Sequence, residues 1–266
     1  MRRICSSGHH ITVHCVTLWI GPALGAIERA CLLSVLRQGH GVTLYSYGRP
    51  DGVPDGVEVR DAAEIIPEDK VVRHISGSPA LFANRFRYEL QRQGLGTWID
   101  CDIYLLSPLD GSDPYLFGEE AAGLINNGIL RLPTDSPLLA PLLAIFEERS
   151  VPPWLPLRSK VAACGRLLSS GKSGLSQMPW GSAGPRALSY LARRYQLDHW
   201  ARGSCVFYPV RWQDALWISD PAIDLCDVTT PDTVAVHLWN ERIKGVKAIP
   251  AAPGSFLARL QGEGRV

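Results

Sequence analysis

The sequence predicts an α/β protein whose first two strands belong to a parallel sheet. Residues 12–19 are β-branched and apolar, which indicates a buried strand, and residues 42–47 have the same character. Between them a helical pattern runs to about Gln38, with Pro22 suited to its first turn and Gly39 to its C-terminal cap. Because strand, helix and strand in this order form a βαβ unit, the two strands are expected to run parallel.

The rest of the chain continues to alternate between helices and strands. An amphipathic helix is expected from about 78 to 93, with apolar side chains recurring every four residues. A strong apolar strand is expected over 97–106, and a strand or strand end over 123–130. Further helices are expected over 136–149 and 185–195. Neither the G-x-G-x-x-G dinucleotide fingerprint nor a phosphate-binding P-loop sequence is present.

Four segments are less regular. We expect disorder in residues 1–10 and an irregular insertion, rich in Pro, Ser and Gly, over 151–180. Short strand-like runs are expected at 205–210 and 233–239. These segments interrupt the alternation without indicating a second domain.

Length, composition and charge favour one folded domain over 1–266. The chain is 46% hydrophobic and 20% charged, which allows a large core and excludes wholesale disorder. Its formal charge is +1, from 27 Lys and Arg against 26 Asp and Glu. Because a nucleic-acid-binding protein usually carries a large positive excess, we expect no nucleic-acid partner.

Cysteine usage and hydropathy predict a cytoplasmic protein with at most peripheral membrane contact. The seven cysteines are scattered and odd in number, and none forms a C-x-x-C pair, which is typical of free thiols in a reducing compartment. The most apolar early run, 11–24, is short and is interrupted by His14, Gly21 and Pro22. It is therefore not expected to span a membrane.

Two aspartates in the 97–106 segment predict a cation site. Residues two apart in a strand share a face, so Asp100 and Asp102 are expected to project together, away from the apolar face. Two adjacent carboxylates in an apolar strand repel each other unless a cation lies beside them. Oxygen ligands favour Mg²⁺ or Mn²⁺ over zinc, and such an ion can stabilise a diphosphate leaving group. The alternative is a pair of solvated aspartates at a strand end.

The motifs around this pair resemble, in order, those of the D-x-D sugar transferases. That group includes α-1,4-galactosyltransferases, initiating α-1,6-mannosyltransferases and capsular-polysaccharide transferases, with the glucosylating clostridial toxins as more distant relatives. Residues 82–90, a Gly-containing turn and Trp98-Ile-Asp-Cys-Asp are similar to the family's helix, turn and W/Y-x-D-x-D strand. Further similar segments are Leu18-Trp19-Ile20-Gly21, Asn126-Asn127 before an expected apolar helix, Gly184-Pro185 and His237-Leu238-Trp239-Asn240. The resemblance spans about 15–245.

Two positions depart from the family's pattern. Asn84 stands where the family usually has Asp, and Leu95-Gly96 replaces the usual Gly-Gly before the strand. An asparagine can hydrogen-bond sugar hydroxyls but cannot act as an anion, so donor preference or rate could differ.

The resemblance implies a GT-A-type fold and a metal-dependent, retaining hexosyl transfer. The donor would be a nucleoside-diphosphate sugar, with a UDP-sugar favoured and a GDP-sugar as the alternative, and the acceptor a hydroxyl group. A role in bacterial polysaccharide biosynthesis fits such an enzyme. Mn²⁺, or Mg²⁺, would be held directly by Asp102, with Asp100 as a second ligand through water and His237 as a third ligand. The alternative for Asp100 is a hydrogen bond to the donor's ribose or sugar. For His237 the alternative is a histidine of the core or surface.

The resemblance also suggests which residues bind the two substrates. Catalytic roles fall to Asp100, Asp102 and Arg87. The expected donor-binding residues are Trp19, Ile20, Tyr45, Asn84, Arg87, Asp100, Asn126, Asn127 and Lys244. The expected acceptor-binding residues are Trp180, Gly184 and Trp239. Tryptophans in this set offer flat faces for a base or a sugar, although a core position is the alternative for each of them.

Three other functional classes remain open at this stage. An aspartate-nucleophile phosphatase would use Asp100 as nucleophile and Asp102 as acid and base, with Asp224 and Asp227 as a downstream Mg²⁺ pair. It normally has a small residue where this chain has Tyr104. A catalytically inactive, nucleotide- or glycan-binding relative is supported by Asn84 alone.

The third class is a zinc protein. Its ligands would be His9, His10, His14 and Cys15, but His10 and His14 converge only on a helix, whereas this segment is expected to be a strand.

Overall fold

A large mixed sheet with helices on both faces organises the chain. The computed structural model describes residues 12–265. The strands are β1 (His14–Trp19), β2 (Gly41–Ser46), β3 (Val57–Asp61), β4 (Thr97–Ile99), β5 (Ile103–Leu105), β6 (Leu116–Ala121), β7 (Leu124–Arg131), β8 (Ala201–Arg202) and β9 (Ala235–His237). The α-helices are α1 (Ala26–Arg37), α2 (Ala80–Arg92), α3 (Leu139–Ala144), α4 (Leu157–Ser170), α5 (Pro185–Arg194), α6 (Ser204–Phe207), α7 (Leu225–Val228), α8 (Asn240–Ile243) and α9 (Phe256–Glu263).

Seven strands form the large sheet in the order β3-β2-β1-β4-β7-β6-β8. β1 and β2 are parallel, as the βαβ pattern predicted. The pairs β2–β3 and β1–β4 are also parallel, and β7 runs antiparallel to both β4 and β6. Strands β5 and β9 form a separate antiparallel ribbon. Since β7 runs opposite to β4, the start of β7 lies at the same sheet edge as the end of β4.

The core is divided by the sheet into two apolar clusters. Adjacent residues of one strand face opposite clusters, as strand geometry requires. In β1, Cys15 packs on the side of α1 and α9, and Val16 packs on the side of α2, α3 and α5. In β4, Ile99 packs on the same side as Cys15, and Trp98 packs on the same side as Val16. Because both clusters share one sheet, the described residues form a single α/β domain.

Several predicted elements are confirmed. Helices α2 and α5 lie within a few residues of their predicted bounds, the segment 123–130 overlaps β7, and the segment 233–239 contains β9. Gly39 follows α1 with a φ of +78°, a left-handed conformation that glycine adopts without steric cost. Pro22, however, does not lie in the first turn of α1, because that helix begins at Ala26.

Three predictions about local structure are wrong. The 97–106 segment is two strands rather than one, because the chain turns at 100–102 and β5 leaves the large sheet to pair with β9. The 151–180 segment is not irregular throughout, since it contains α4. The 205–210 segment begins in the short helix α6 rather than in a strand.

The region from 123 to 149 also differs from expectation in detail. Asn126 and Asn127 lie inside β7 rather than before an apolar helix, and the helix expected over 136–149 is shortened to α3. Residues 1–10, where disorder was expected, lie outside the described residues. Across 12–265, no helix is both long and apolar enough to cross a bilayer.

Candidate functional site

A cavity of about 560 Å³ opens beyond the end of β4 in the large sheet. Asp100 follows the last residue of β4, Asn126 and Asn127 lie in the first half of β7, and Glu120 lies near the end of β6. Because ligands of open α/β sheets bind beyond the carboxyl ends of the strands, this is the expected place for a substrate. The volume lies within the range of small-molecule sites.

The turn at 100–102, which the sequence did not predict, presents the two aspartates to this cavity. The Ile103 N–H donates to the Asp100 carbonyl at 3.1 Å, which closes the turn, and the Asp100 N–H donates to the Gly128 carbonyl at 2.7 Å. The aspartates therefore come together through a turn rather than through strand alternation. Both line the cavity.

Two donors hold one oxygen of Asp100. The Trp98 indole N–H donates to Oδ1 at 2.8 Å, and Arg87 Nη2 donates to the same oxygen at 2.9 Å. The Arg87 side chain is 6% exposed and its guanidinium lies 4.7 Å from the centre of the Trp98 ring. Arg87 also donates to the backbone carbonyls of Asn127 and Ala83. Although Arg87 lines the cavity, its guanidinium is already hydrogen-bonded to Asp100 and to two backbone carbonyls. Arg87 therefore positions Asp100, and its donors are not available to a donor sugar.

Gly128 makes close packing around Asp100 possible. A Cβ atom at this position would lie 3.1 Å from both Asp100 Oδ2 and Asn126 Oδ1, and 3.4 Å from the Tyr208 hydroxyl. Asn126 in turn accepts a hydrogen bond from the Gly128 N–H at 2.6 Å and donates to Glu120. Asn126, expected to bind the donor, thus shapes the start of β7 while lining the cavity.

Asp102 is held from the C-terminal part of the chain. The Asn240 N–H donates to its Oδ2 at 2.7 Å, and the Leu238 N–H donates to its carbonyl at 2.9 Å. His237 Nε2 lies 3.3 Å from the same Oδ2. These contacts join the D-x-D turn to β9 and the start of α8, two elements separated from it by more than 130 residues of sequence.

Asp100, Asp102 and His237 form a site that could hold a metal ion. One ligand atom from each lies within 4.8 Å of the others. His237 Nδ1 is buried and has no hydrogen-bond partner among residues 12–265. Two carboxylates and an imidazole suit Mn²⁺, whereas an all-oxygen set would suit Mg²⁺. The residues present therefore fit a divalent cation. Because His237 Nδ1 has no hydrogen-bond partner among the described residues, a ring nitrogen is available as a ligand.

Burial and neighbouring charges shift the three pKa values in different directions. Burial raises the pKa of Asp100, helped by the negative Asp102 and opposed by Arg87. Burial acts to raise the pKa of Asp102 as well, but His237 and the Asn240 N–H outweigh it, so this pKa is lowered. Burial acts to lower the pKa of His237, but Asp102 outweighs it and the pKa is raised. A cation here would favour the ionised form of both carboxylates and replace the proton of the imidazole.

A buried ion pair supports the Asp102 side of the site. Lys247 donates to Glu28, whose side chain is 1% exposed, and to the Asn240 side chain at 2.6 Å. Asn240 is the residue whose backbone N–H binds Asp102. Since Glu28 belongs to α1, this contact fixes the segment after β9 against the first helix of the fold.

Asn84 and Asn127 meet on another wall of the cavity. Asn127 Nδ2 donates to Asn84 Oδ1 at 2.9 Å and to the Tyr88 hydroxyl at 3.0 Å. Gly184 packs directly on the pair, because a Cβ there would lie 3.1 Å from Asn84 Oδ1. The Asn84 amide Nδ2 has no partner among the described residues and is available to a ligand. Gly184, expected at the acceptor site, instead leaves room for these two amides.

Three tryptophans line the outer part of the cavity. Trp180 and Trp212 are partly exposed, and Trp239 is buried between Trp212 and His237. Trp239 has a φ of +57°, which is unusual for a bulky residue, and its indole N–H donates to the Val210 carbonyl. This conformation turns the chain between His237 and the Asn240 N–H. Of the expected acceptor-binding residues, Trp180 and Trp239 line the cavity.

Four expected donor-binding residues lie away from the cavity walls. Trp19 and Ile20 are at the end of β1, partly buried against the core. Tyr45 is 1% exposed and packs edge-on against Phe86, so it cannot stack on a base. Lys244 pairs with Glu241 at the surface. The donor-binding predictions for these four residues are therefore not supported by their positions.

The downstream acidic pair of the phosphatase hypothesis and the described residues of the zinc hypothesis lie outside the cavity. Asp224 and Asp227 form a capping box at the start of α7 and do not line the cavity. His14 Nε2 is within 3.0 Å of the Thr43 hydroxyl, and Cys15 is fully buried. His9 and His10 lie outside the described residues.

Sequence reasoning missed several residues of the site. Glu120, Asn240 and Glu241 line the cavity, and Gly128 packs beside Asp100. The pattern Asn-Asn-Gly in an apolar strand was a usable signal for Gly128, because glycine inside a strand often marks a close approach. Nothing in the local sequence distinguishes Glu120 from a solvated glutamate.

Comparison with known proteins assigns no family. Neither a family model nor a curated protein matches the chain. We therefore base the function on the cavity, its ligand atoms and the order of motifs along the chain.

Proposed function

We propose that the protein is a metal-dependent glycosyltransferase of the GT-A type. It would transfer a hexosyl group from a nucleoside-diphosphate sugar, a UDP-sugar in preference to a GDP-sugar, to a hydroxyl acceptor with retention of configuration. The ordered resemblance to D-x-D sugar transferases supports this proposal. A D-x-D turn at the carboxyl edge of a largely parallel sheet is compatible with it.

One observation carries most of the weight. Asp100, Asp102 and His237 bring ligand atoms within 4.8 Å of one another inside a cavity large enough for a small-molecule substrate. Two of these residues come from the D-x-D sequence and the third from the H-x-W sequence, far apart in the chain. A solvated pair of aspartates would not require a buried histidine beside it.

The metal ligands would be Asp100, Asp102 and His237. A divalent cation bound there supplies charge that stabilises the diphosphate as a leaving group. Arg87 and Trp98 hold Asp100 in place for this purpose, and the Asn240 N–H holds Asp102. A fixed set of ligands lowers the cost of ordering the site when substrate binds.

The remaining cavity groups suit the two sugars. The Asn84 amide, held by Asn127, offers a donor to sugar hydroxyls, while Trp180 and Trp212 offer flat faces to an acceptor. The bond between the sugar's anomeric carbon and the diphosphate oxygen breaks as the acceptor oxygen bonds to that carbon from the same side. The electron pair leaves with the diphosphate, whose oxygen takes the acceptor's proton. This route needs no protein nucleophile.

A donor screen tests the proposal. The protein is incubated with Mn²⁺, a panel of UDP- and GDP-sugars and mixed saccharide acceptors, and release of nucleoside diphosphate is followed. We expect release from one donor class, lost in Asp102→Ala and retained in Asp69→Asn, which removes an exposed carboxylate remote from the cavity. No release from any donor, or full release by Asp102→Ala, would contradict the proposal.

Two further measurements separate the competing classes. Hydrolysis of an aryl phosphate that depends on Asp100 would favour the phosphatase. Stabilisation by UDP with Mn²⁺ in a thermal-shift assay, without turnover of any donor, would favour an inactive relative in which Asn84 replaces the acidic residue.

A further inference from the structure

Helix α4 presents an apolar stripe that the fold does not cover. Leu157 is 76% exposed, Val161 64% and Leu168 89%, and Cys164 between them is also exposed. At 3.6 residues per turn these four side chains fall within about 60° of the helix circumference. Ala163 is the buried residue of this helix, so the stripe faces away from the protein.

Exposed apolar side chains also occur in the segment after this helix and in a loop hydrogen-bonded to that segment. Besides the stripe they include Trp180, which follows α4, and Val72 and Ile75, which lie in the loop before α2. The Ile75 N–H donates to the Ser176 carbonyl, so this loop is joined to the segment after α4. An exposed apolar stripe along a helix, as on α4, often marks an interaction site.

The charge of this region is strongly asymmetric. No acidic residue occurs between Glu148 and Asp198, although the whole chain has almost equal numbers of acidic and basic residues. The basic residues of this stretch are Arg149, Arg158, Lys160, Arg166, Lys172, Arg186, Arg193 and Arg194. Arg158 and Lys160 flank the apolar stripe on its two sides.

We propose that α4 docks the protein on an anionic lipid surface. An exposed leucine and valine stripe flanked by cations is the pattern of a helix that lies in the bilayer interface, with its apolar side chains among the acyl chains and its basic groups beside lipid phosphates. Although Glu148 pairs with Lys172 just after α4, Arg158 and Lys160 beside the stripe favour a negatively charged surface over a neutral protein partner. This inference does not depend on the proposed transfer reaction.

Vesicle flotation tests the docking surface. The full chain is mixed with vesicles containing about 30% phosphatidylglycerol in phosphatidylcholine, or phosphatidylcholine alone. We expect the protein to float with the anionic vesicles and not with the neutral ones, and binding to weaken as salt rises, because salt screens the charges. Leu157→Ser/Leu168→Ser should lower the affinity by about tenfold or more.

The matched control is Leu216→Ser/Ile249→Ser, which removes two exposed apolar side chains elsewhere and should float like the wild type. Circular dichroism confirms that each variant is folded. Equal flotation of the wild type and the stripe variant, or no flotation of the wild type, would overturn the proposal. Self-association that is lost in the stripe variant, without vesicle binding, would also overturn it and assign the stripe to contacts between copies of the chain.

Discussion

Replacing Arg87 with methionine should be among the most destabilising changes at the site. The Arg87–Asp100 pair is nearly buried, with side chains 6% and 24% exposed, so the substitution leaves a buried carboxylate whose main counter-charge is gone. Breaking such a pair costs about 3–5 kcal/mol in unfolding free energy. Loss of the stacking on Trp98 and of the hydrogen bond to the Asn127 carbonyl acts in the same direction.

A double-mutant cycle tests whether charge is the cause. Asp100→Asn in the Arg87→Met background removes the uncompensated charge, so the double variant should regain about 2 kcal/mol relative to the sum of the single changes. Unfolding free energies are measured by urea denaturation with no added metal. Arg60→Met is the matched control, because Arg60 pairs with Glu64 at the surface, and should cost less than about 1 kcal/mol. A cost below that of the control, or additive effects of the two site variants, would refute the reasoning.

Three further outcomes are expected. Gly128→Ala should lower Mn²⁺ affinity at least about tenfold in calorimetric titration, because its Cβ would lie 3.1 Å from Asp100 Oδ2. The control Gly165→Ala lies in α4 with open space around it, and it should stabilise the protein by about 0.5–1 kcal/mol. Mn²⁺ affinity should fall as the pH is lowered, because protons compete for the ligands. The raised pKa of His237 places part of this loss above pH 6.5, the ordinary value for histidine, and the raised pKa of Asp100 adds to the loss at lower pH. A pH-independent affinity would contradict the assignment. Trp180→Ala should lower the urea midpoint only modestly, because that side chain is half exposed, but raise the KM for a saccharide acceptor. An unchanged KM would remove Trp180 from the acceptor site.

Local patterns were enough to predict much of the fold. The β-branched run at 12–19 and the apolar periodicity of α2 are signals of burial that depend only on neighbouring residues. The motif order also drew attention to Asp100, Asp102 and His237 before their proximity was visible. Asp100 and Asp102 were recognisable because an acidic pair in an apolar segment is costly without a partner, whereas His237 was suggested only by the resemblance.

Long-range pairing explains where the sequence misled. The 97–106 segment has the composition of one strand, but β5 finds its partner in β9, more than 120 residues away, and the resulting turn presents the aspartates. Helix α4 was predicted as an irregular segment because Pro, Ser and Gly surround it and its apolar stripe does not face the core. Tyr45 was expected to bind the donor, but it is buried against Phe86 of α2. An aromatic residue near a strand end can be a core residue as readily as a binding residue.

By itself the sequence determined the α/β class, the parallel first strands and the residue types capable of binding a divalent cation, because periodicity and side-chain chemistry are local properties. The tertiary structure alone decided that His237 contacts Asp102 and that Arg87 forms an ion pair with Asp100. It also decided that Gly128 packs beside Asp100 and that Glu120 lines the cavity. Those contacts join strands and loops far apart in the chain, and their geometry follows from how the sheet, the ribbon and the helices pack together.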